Sequence, residues 1–175
     1  MTDHELLDLS KQGDQRAFAQ LVERHRHTVW AVCFRITGNQ QDAEDALQDT
    51  LIAAWQHLNK FRGDATFKTW YYRVAANASL AVVRRRRDIV ADQDDFIDLT
   101  DTAPAVDDRV TTVTTVRAAI AALPDDFREA IVLREFASMT YQEIADHQRI
   151  NVQTVKSRIS RARAKLVAEL APSLS

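Results

Sequence analysis

The sequence predicts an all-α protein, built from two small helical domains that a flexible acidic linker joins. Its 175 residues include only three Gly and three Pro. Apolar residues recur mostly at the three-to-four spacing of a helix, with almost no period-two alternation from which to build a sheet. Residues 88–108 contain eight Asp and no Lys or Arg, and they lack an apolar face long enough to fold alone. The predicted domains are therefore residues 1–87 and 110–175, with the linker at 88–109.

Three helices are predicted in the first domain. Apolar residues follow helical spacing from Arg16 to Ile36, and residues 37–39, Thr-Gly-Asn, are a stop signal. A second helix is expected from Asn39 or Gln41 up to a break at residues 61–64. The third, capped by Asp64, should run from about Thr66 to Arg87. Its expected packing residues are Trp70, Val74, Ala78 and Ala81.

Roughly four helices are predicted in the second domain, and the last two form a helix-turn-helix. The first should span residues 110–123, and Pro124 should begin the next. Thr140 and Glu143 fit a capping box for a short helix, and Asn151 can cap the helix that follows. This last helix should bury Val155, Ile159, Ala162 and Leu166 and expose Lys156, Ser157, Ser160, Arg161, Arg163 and Lys165.

The net charge of -2 hides blocks of opposite sign along the chain. Residues 51–87 carry eight basic residues and one acidic residue, and residues 127–175 carry eight and five. The other two blocks are acidic, with nine acids against five bases in residues 1–50 and ten against two in residues 88–126. Two basic blocks favour a polyanion binder with two separate contact regions.

Several classes of protein have little support in the sequence. The single Cys33 can form no internal disulfide, which fits a reducing compartment. No stretch approaches the roughly 20 uncharged apolar residues of a membrane span, so a cytoplasmic protein is expected. Because no glycine-rich phosphate loop, nucleophile motif or metal-ligand cluster occurs, we expect neither an enzyme nor a metal or other cofactor.

The last predicted helix has the composition of a helix that enters the DNA major groove. Residues 149–165 contain six basic residues and no acid. Hydroxyls and Lys or Arg side chains can reach base edges there, while neighbouring cations hold phosphates. The alternative is an ordinary solvated amphipathic helix, which the preceding capped helix and short turn make the less favoured interpretation.

Aromatic residues are concentrated in one short segment. Five of the 13 in the chain lie within residues 61–72, interleaved with Arg62, Lys68 and Arg73. Aromatic faces combined with cations suit single-stranded nucleic acid, since bases stack and cations follow the phosphates. The alternative is that these rings are core. Tyr71 and Tyr72 are not expected to point inward together with Phe67 and Trp70, so part of the cluster is predicted to be exposed.

A polar face on the second helix is the third candidate site. Asp45, Gln48, Asp49 and Ile52 fall on one side of the helix, opposite the residues expected in the core. This face is either a solvated acidic surface or a docking surface for a basic partner helix, and the residues alone leave both open.

The order of these motifs resembles a known family. Residues 42–55, DAEDALQDTLIAAW, then 61–70, FRGDATFKTW, and 72–77, YRVAAN, resemble region 2 of the extracytoplasmic-function (group IV) bacterial sigma factors. Residues 123–131, LPDDFREAI, with YQEIA at 141–145 and TVKSRISRAR at 154–163, resemble their region 4. The resemblance covers nearly all of the chain outside the acidic linker.

The resemblance implies a promoter-specificity subunit that binds core RNA polymerase. Asp45, Gln48, Asp49 and Ile52 match the docking site for the β′ clamp helices, and region 4 implies contact with the β flap. Residues 61–67 match the loop that captures a flipped −10 base, which Asn77 helps to read. The full set of implied −10 contacts is Phe61, Arg62, Gly63, Asp64, Phe67, Lys68, Trp70, Tyr71, Arg73, Asn77, Arg84 and Arg85.

The family also implies a duplex-reading helix and a regulator. The implied −35 contacts are Thr154, Lys156, Ser157, Ser160, Arg161 and Arg163. The acidic linker matches a segment that threads the positively charged channels of the polymerase, with a simple tether as the alternative. An anti-sigma factor is the expected inhibitory partner, one that could hold the protein at a membrane without insertion of the protein itself. The rival hypothesis is a stand-alone helix-turn-helix regulator, which accounts for residues 110–171 only.

Overall fold

The computed structural model describes residues 1–92 and 108–174, and side-chain surroundings for residues 1–92 and 115–171. This part of the chain contains nine α-helices, one 3-10 turn and no strand, so the all-α prediction is confirmed. None of the described helices has the length and apolarity needed to cross a bilayer. The helices are α1 (Asp3–Lys11), α2 (Gln15–Arg24), α3 (Arg26–Thr37), α4 (Gln40–His57), α5 (Phe67–Asp92), α6 (Asp108–Ala121), α7 (Asp125–Glu135), α8 (Tyr141–Gln148) and α9 (Val152–Leu174), and the 3-10 turn is Leu58–Lys60.

In the first domain, α3, α4 and α5 pack around one apolar core, with α1 and α2 paired beside them. The buried hydroxyls of Ser10, Thr50 and Ser79 are satisfied within their own helices, as where the Thr50 hydroxyl donates to the Ala46 carbonyl at 2.6 Å. Gly38 ends α3 at a φ of 86°, a left-handed conformation that favours glycine, as the predicted stop requires. The core includes Leu6, Leu21, Val29, Val32, Cys33, Ile36, Ala54, Leu58 and Leu80.

The prediction of one helix from Arg16 to Ile36 was wrong, because the chain breaks at His25 between α2 and α3. The break is held by a tertiary contact. Asp3 of α1 accepts hydrogen bonds from Arg24 Nη1 at 3.0 Å and from His25 Nε2 at 2.8 Å. No helix breaker marks this position in the sequence, so the apolar periodicity alone favoured continuity. Helix α1 itself was not predicted.

Helix α5 also departs from its predicted bounds and packing. At its start the Thr66 hydroxyl, in place of the predicted cap Asp64, accepts from the Thr69 backbone N–H at 3.4 Å. At its end it continues past Arg87 to Asp92. At the other end of the predicted linker, residues 108 and 109 belong to α6, and residues 93–107 lie outside the described residues.

The buried stripe of α5 is turned relative to the prediction. Trp70, Val74 and Ala78 are half-buried and Ala81 is exposed. The residues that face α3 and α4 include Tyr71, Tyr72, Ala75, Ala76, Ser79 and Leu80. Helices α3 and α4 make the most contacts with α5, and α1 and α7 also touch it, so its buried surface is wider than a single stripe.

The second domain contains α6 to α9, and its helix-turn-helix follows the prediction closely. The Thr140 hydroxyl accepts from the Glu143 N–H at 3.1 Å, and the Glu143 carboxylate accepts from the Thr140 N–H at 3.0 Å. Arg149 ends α8 in the left-handed region at a φ of 59°, and Asn151 Oδ1 caps α9 by accepting from the Thr154 N–H at 2.8 Å. Val155, Ile159 and Ala162 are buried as predicted, whereas Leu166 is half-buried.

The two domains are in contact in this structure, which the sequence did not predict. The buried Arg128 of α7 donates to the Ile36 carbonyl of α3 at 3.3 Å. The guanidinium carbon of Arg117 lies 4.7 Å from the centre of the Phe34 ring, and that of Arg35 lies 4.9 Å from the Phe136 ring. Through these contacts the second domain packs against the C-terminal end of α3.

Candidate nucleic-acid interface

A cleft of about 1210 Å³ lies at the loop that joins the 3-10 turn to α5. One side is formed by the loop and the first turns of α5. The opposite sides come from α1, the α2–α3 junction and α8. Eight of the twelve sequence-predicted −10 residues line this cleft: Phe61, Arg62, Gly63, Asp64, Phe67, Lys68, Trp70 and Arg73.

Three aromatic rings form the apolar surface of the cleft. The ring centres of Phe61 and Trp70 are 5.5 Å apart, and those of Phe67 and Trp70 are 5.9 Å apart. Phe61 and Phe67 are buried, while Trp70 keeps part of its ring accessible. Trp70 is therefore the ring most available for stacking with a base.

The tyrosines do not have the exposure that was predicted. Tyr71 is 1% exposed and Tyr72 is 6% exposed, so both belong to the core. Burial raises the pKa of the Tyr71 hydroxyl well above its usual value. Tyr71 is thus a buried support beneath Phe67, with ring centres 5.5 Å apart, and does not line the cleft.

Cationic side chains surround the aromatic surface. Arg62 and Lys68 are exposed at the loop and on the first turn of α5. Gly63 has a φ of 83°, which lets the loop turn between Arg62 and Asp64. The cleft can therefore offer stacking to a base and positive charge to its phosphates.

Arg73 and Glu143 meet inside the cleft. Arg73 Nη2 donates to the Glu143 carbonyl at 3.3 Å, and the Thr69 hydroxyl donates to the Glu143 carboxylate at 2.7 Å. Burial raises the pKa of this carboxyl, but hydrogen bonds from Thr140 and Thr69 outweigh it and leave the pKa below its usual value. Arg73 Nε is buried and has no acceptor among the described residues, and this donor would suit an anionic ligand.

The structure places the remaining predicted −10 residues outside the cleft. Asn77 and Arg85 line a second groove of about 430 Å³ between α4 and α5, where Ala53, Ala78 and Ala81 leave space. Arg84 points toward Asp125, with 3.9 Å between Nε and the carboxylate. The predicted −10 residues therefore lie in three places: most line the cleft, Tyr71 is buried in the core, and the others lie on a second surface along α5.

Each arginine of the run at residues 84–87 is paired with a carboxylate. Arg85 Nη2 lies 3.0 Å from Asp49, and Arg86 is paired with Asp42. Arg87 binds Asp125 through both terminal nitrogens, at 2.9 and 3.2 Å. The hydrogen bond from Arg87 lowers the pKa of the Asp125 carboxyl, while burial raises it. Because the positive charges of Arg87, Arg128 and Arg84 lower it further, the pKa stays below its usual value.

The predicted docking face on α4 is accessible. Asp45 and Gln48 are exposed, and Ile52 is 51% exposed, which is unusual for a large aliphatic side chain. Asp49 is half-buried through its contact with Arg85. Carboxylates beside an exposed isoleucine can bind a basic partner helix through both charge and apolar contact.

Helix α9 presents the predicted −35 residues on its outer surface. Lys156, Ser157, Ser160, Arg161 and Arg163 are exposed, and Thr154, whose hydroxyl bonds Asn151 at 2.9 Å, is half-buried. Lys156 Nζ lies 5.8 Å from the centre of the Tyr141 ring, and Arg163 is paired with Glu135. Hydroxyl and cationic side chains therefore lie next to one another on α9, an arrangement that can contact base edges in the major groove of DNA.

Sequence reasoning missed several residues of the cleft. Asp3, His4, Leu7 and His25 line it from α1 and the α2–α3 junction. Thr2 and Glu5 form a capping box that could have revealed α1, but nothing in the linear sequence indicates that α1 lies beside the loop. Within the described ranges no three His, Cys, Asp or Glu residues are grouped to hold a metal ion.

Comparison with known families assigns both domains. The family model described as Sigma-70 region 2 matches residues 21–89, and the model described as Sigma-70, region 4 matches residues 114–166. The RNA polymerase sigma-H factor of Pseudomonas aeruginosa is 35% identical over 98% of this chain and 95% of its own length. The ECF RNA polymerase sigma factor SigW of Bacillus subtilis is 31% identical over 91% of this chain and 92% of its own length.

Solved structures agree with this assignment. CnrH, in complex with the cytosolic domain of CnrY, matches with a TM-score of 0.74 at 29% identity, over 97% of both chains. The sigma factor RpoE from Bartonella quintana, in complex with the anti-sigma factor NepR, matches with a TM-score of 0.72 at 26% identity, over 88% of this chain and 96% of that one. The chain belongs to the extracytoplasmic-function group of the sigma-70 family.

Proposed function

We propose that the protein binds core RNA polymerase and directs it to a specific set of promoters. The observation that carries the proposal is that one chain joins a region 2 domain with a cationic, aromatic-lined cleft to a region 4 domain with a basic helix-turn-helix. As a sigma factor the protein is a transcription initiation factor and not an enzyme. Bond formation therefore belongs to the polymerase.

In this proposal the cleft of region 2 captures an extruded −10 nucleotide. Flipping a base out of the stack costs a few kcal/mol, and stacking on an aromatic ring such as Trp70 returns about 1–3 kcal/mol. Arg62, Lys68 and Arg73 surround the space that the phosphates would occupy. Asn77 and Arg85 contact the same strand farther along α5, at the second groove.

The contact between α5 of region 2 and α8 of region 4 affects capture of the nucleotide. The Glu143 carboxylate lies in the cleft beside Arg73 and Thr69. A phosphodiester and a carboxylate repel each other at such distances, and both need the same donors. Promoter engagement therefore requires α8 to move away from α5.

The −35 element is read as duplex by α9. Arg161 and Lys156 provide donors for base edges, and Ser157 and Ser160 provide hydroxyls of short reach. Arg163 and Thr154, at the edges of this surface, hold neighbouring phosphates. A single such helix gives modest specificity, and the second element at −10 supplies the rest.

Polymerase docking uses a third surface. Asp45, Gln48, Asp49 and Ile52 bind the β′ clamp helices, and region 4 binds the β flap. The regulator is an anti-sigma factor that covers polymerase-binding surfaces of both domains. Support for this partner comes from a similar solved structure, the Bartonella quintana RpoE complex with the anti-sigma factor NepR.

The test is reconstituted transcription on fragmented bacterial genomic DNA, with sequencing of transcript 5′ ends. Core polymerase supplemented with the protein should start at sites that share two motifs near −35 and −10, whereas core polymerase alone should not. Start sites without a shared motif would contradict the proposal. Tight sequence-specific binding of duplex DNA by the free protein, with no effect on initiation by core polymerase, would instead support a stand-alone helix-turn-helix regulator.

A further inference from the structure

We propose that α1 is a structural part of the −10 cleft and that Lys11 is a positioning residue, which fixes the loop that holds the extruded nucleotide. The inference rests on the proposed function of that cleft. It concerns a helix that lies outside residues 21–89, the segment matched by the region 2 family model.

Lys11 restrains the first residue of the loop in two ways. Its Nζ donates to the Phe61 carbonyl at 2.9 Å and also lies 5.4 Å from the centre of the Phe61 ring. The Phe61 N–H donates to the Leu58 carbonyl at 3.2 Å. Lys11 thus restrains both the backbone and the ring of Phe61. The restraint on the backbone is strong, because a hydrogen bond from a charged donor is stronger than one between neutral groups.

Helix α1 is itself firmly anchored, so Lys11 acts from a rigid element. Thr2 and Glu5 close its N-terminus with a capping box. Leu6 is 1% exposed and Leu7 is 5% exposed. Removing Lys11 would therefore free the loop and leave the helix in place.

The other end of the loop is connected to α1 through His25. Asp3 accepts from His25 Nε2 at 2.8 Å, and the His25 ring centre lies 5.9 Å from the Phe67 ring. Lys11 contacts Phe61 at the start of the loop, and the Asp3–His25 pair reaches Phe67 at its end. Helix α1 therefore spans both ends of the loop.

A fixed loop matters for base selection. A pocket that is already shaped for one base loses less free energy on ordering when that base binds. A positioning role for Lys11 therefore predicts a loss of discrimination among bases. A simple electrostatic role predicts an equal loss for every strand and a smaller salt dependence of binding.

The experiment uses holoenzyme assembled from core polymerase and the full chain. The probe is a fork-junction DNA whose single-stranded −10 segment is randomised, and bound molecules are sequenced. For each variant we measure the preference for the favoured base at the most selective position. We then compare the affinity of the selected strand with that of the same strand carrying an abasic nucleotide there.

Lys11→Met should reduce base preference and the intact-to-abasic affinity ratio by about tenfold or more, as loss of one hydrogen bond from a charged donor implies. Lys11→Arg should restore both, because Arg keeps a charged donor. Arg16→Met, which removes one charge at an exposed position outside the cleft, should change neither. Should Lys11→Met fail to fold, Lys11→Gln and Lys11→Ala provide the comparison. Gln lacks the charge but keeps a hydrogen-bond donor, so Lys11→Gln should keep more base preference than Lys11→Ala.

Two contrary outcomes are distinguishable. If wild-type holoenzyme shows no base preference at any unpaired position, the proposed function of the cleft fails. If the wild type shows a clear preference and Lys11→Met keeps it in full, or loses affinity equally for intact and abasic strands, the inference about Lys11 fails alone.

Discussion

The Thr69 hydroxyl donates a hydrogen bond to the Glu143 carboxylate at 2.7 Å, although 74 positions separate the two residues in the sequence. The same carboxylate completes the capping box of α8 through the Thr140 N–H. Glu143 therefore has two roles: its carboxylate caps α8, the first helix of the helix-turn-helix, and it joins region 4 to α5 of region 2.

Thr69→Val should loosen α8 from α5 and leave the capping box intact, because Val keeps the shape of Thr but lacks the hydroxyl, which donates to Glu143 and accepts from the Thr66 hydroxyl at 3.1 Å. We expect a loss of about 1 kcal/mol in the contact, seen as faster amide hydrogen exchange in the first turns of α5 and α8. Thr50→Val, the same change in the region 2 core, is the control and should leave exchange in α8 unaltered. Equal exchange in Thr69→Val and wild type would show that this bond does not hold the domains together.

The contact between the domains should depend on pH through Asp125. Its pKa lies below the ordinary value of 3.8 mainly because Arg87 donates hydrogen bonds to the carboxylate. A carboxyl with a lowered pKa stabilises the contact above its ordinary pKa, and this contribution is lost as the pH falls through the lowered value.

Small-angle X-ray scattering should therefore show the protein expanding as the pH falls below about 4. Asp125→Asn should already be expanded near neutral pH and should change less on acidification. Asp126→Asn is the neighbouring control, since the Asp126 side chain is 60% exposed. A wild type and an Asp125→Asn variant with the same scattering across this range would contradict the assignment.

Arg128→Met should be among the most destabilising single changes in region 4. Arg128 is 6% exposed and donates to the carbonyls of Ile120, Ala121 and Leu123, in addition to Ile36. Each buried acceptor left without a donor costs about 1–3 kcal/mol. Denaturant unfolding should therefore show a loss of about 3 kcal/mol or more, whereas the exposed control Arg161→Met should change stability by less than about 0.5 kcal/mol.

Charge reversal at Asp49 should weaken docking to core polymerase. Asp49 belongs to the exposed face of α4 and is paired with Arg85 at 3.0 Å. Asp49→Lys therefore removes a charge that would attract a basic partner helix and adds a repulsive one. Association measured by fluorescence anisotropy should weaken by at least about tenfold. Glu23→Lys makes the same change at an exposed position of α2, outside α4, and should have a much smaller effect. Comparable losses in both variants would point to general electrostatics in place of a docking site.

Arg161→Ala should reduce transcription unequally among promoters that differ at −35. A contact to a base edge contributes about 1–3 kcal/mol of discrimination, so promoters with the preferred base should lose the most. Lys165→Ala, on the same exposed surface, is expected to act through phosphates and to reduce all promoters alike. An equal loss for Arg161→Ala would reassign Arg161 to a phosphate contact.

The helix-turn-helix was predictable because its signals are local. A capping box joins residues three positions apart, as Thr140 and Glu143 do, and the cap from Asn151 to the Thr154 N–H has the same span. Burial of Val155, Ile159 and Ala162 follows from helical spacing alone. The exposed face of α4 was predictable for the same reason.

The cleft was only half predictable. Its loop is visible in the sequence as a concentration of aromatic and basic residues, but the burial of Tyr71 and Tyr72 depends on how many neighbours pack against α5. The walls from α1 and α8 join residues that are far apart in sequence, such as Lys11 with Phe61 and Thr69 with Glu143. No local periodicity records such contacts.

The sequence by itself determined that the chain is helical, that it carries two cationic regions and that their motifs follow the order of a sigma factor. Caps, helical periodicity and residue chemistry act over a few positions, so they can be read without a fold. Only the tertiary structure decided that the chain breaks at His25, that α1 lines the cleft beside the loop and that region 4 rests against region 2. These features arise from contacts between side chains on different helices, whose free energy depends on three-dimensional distance and not on position along the chain.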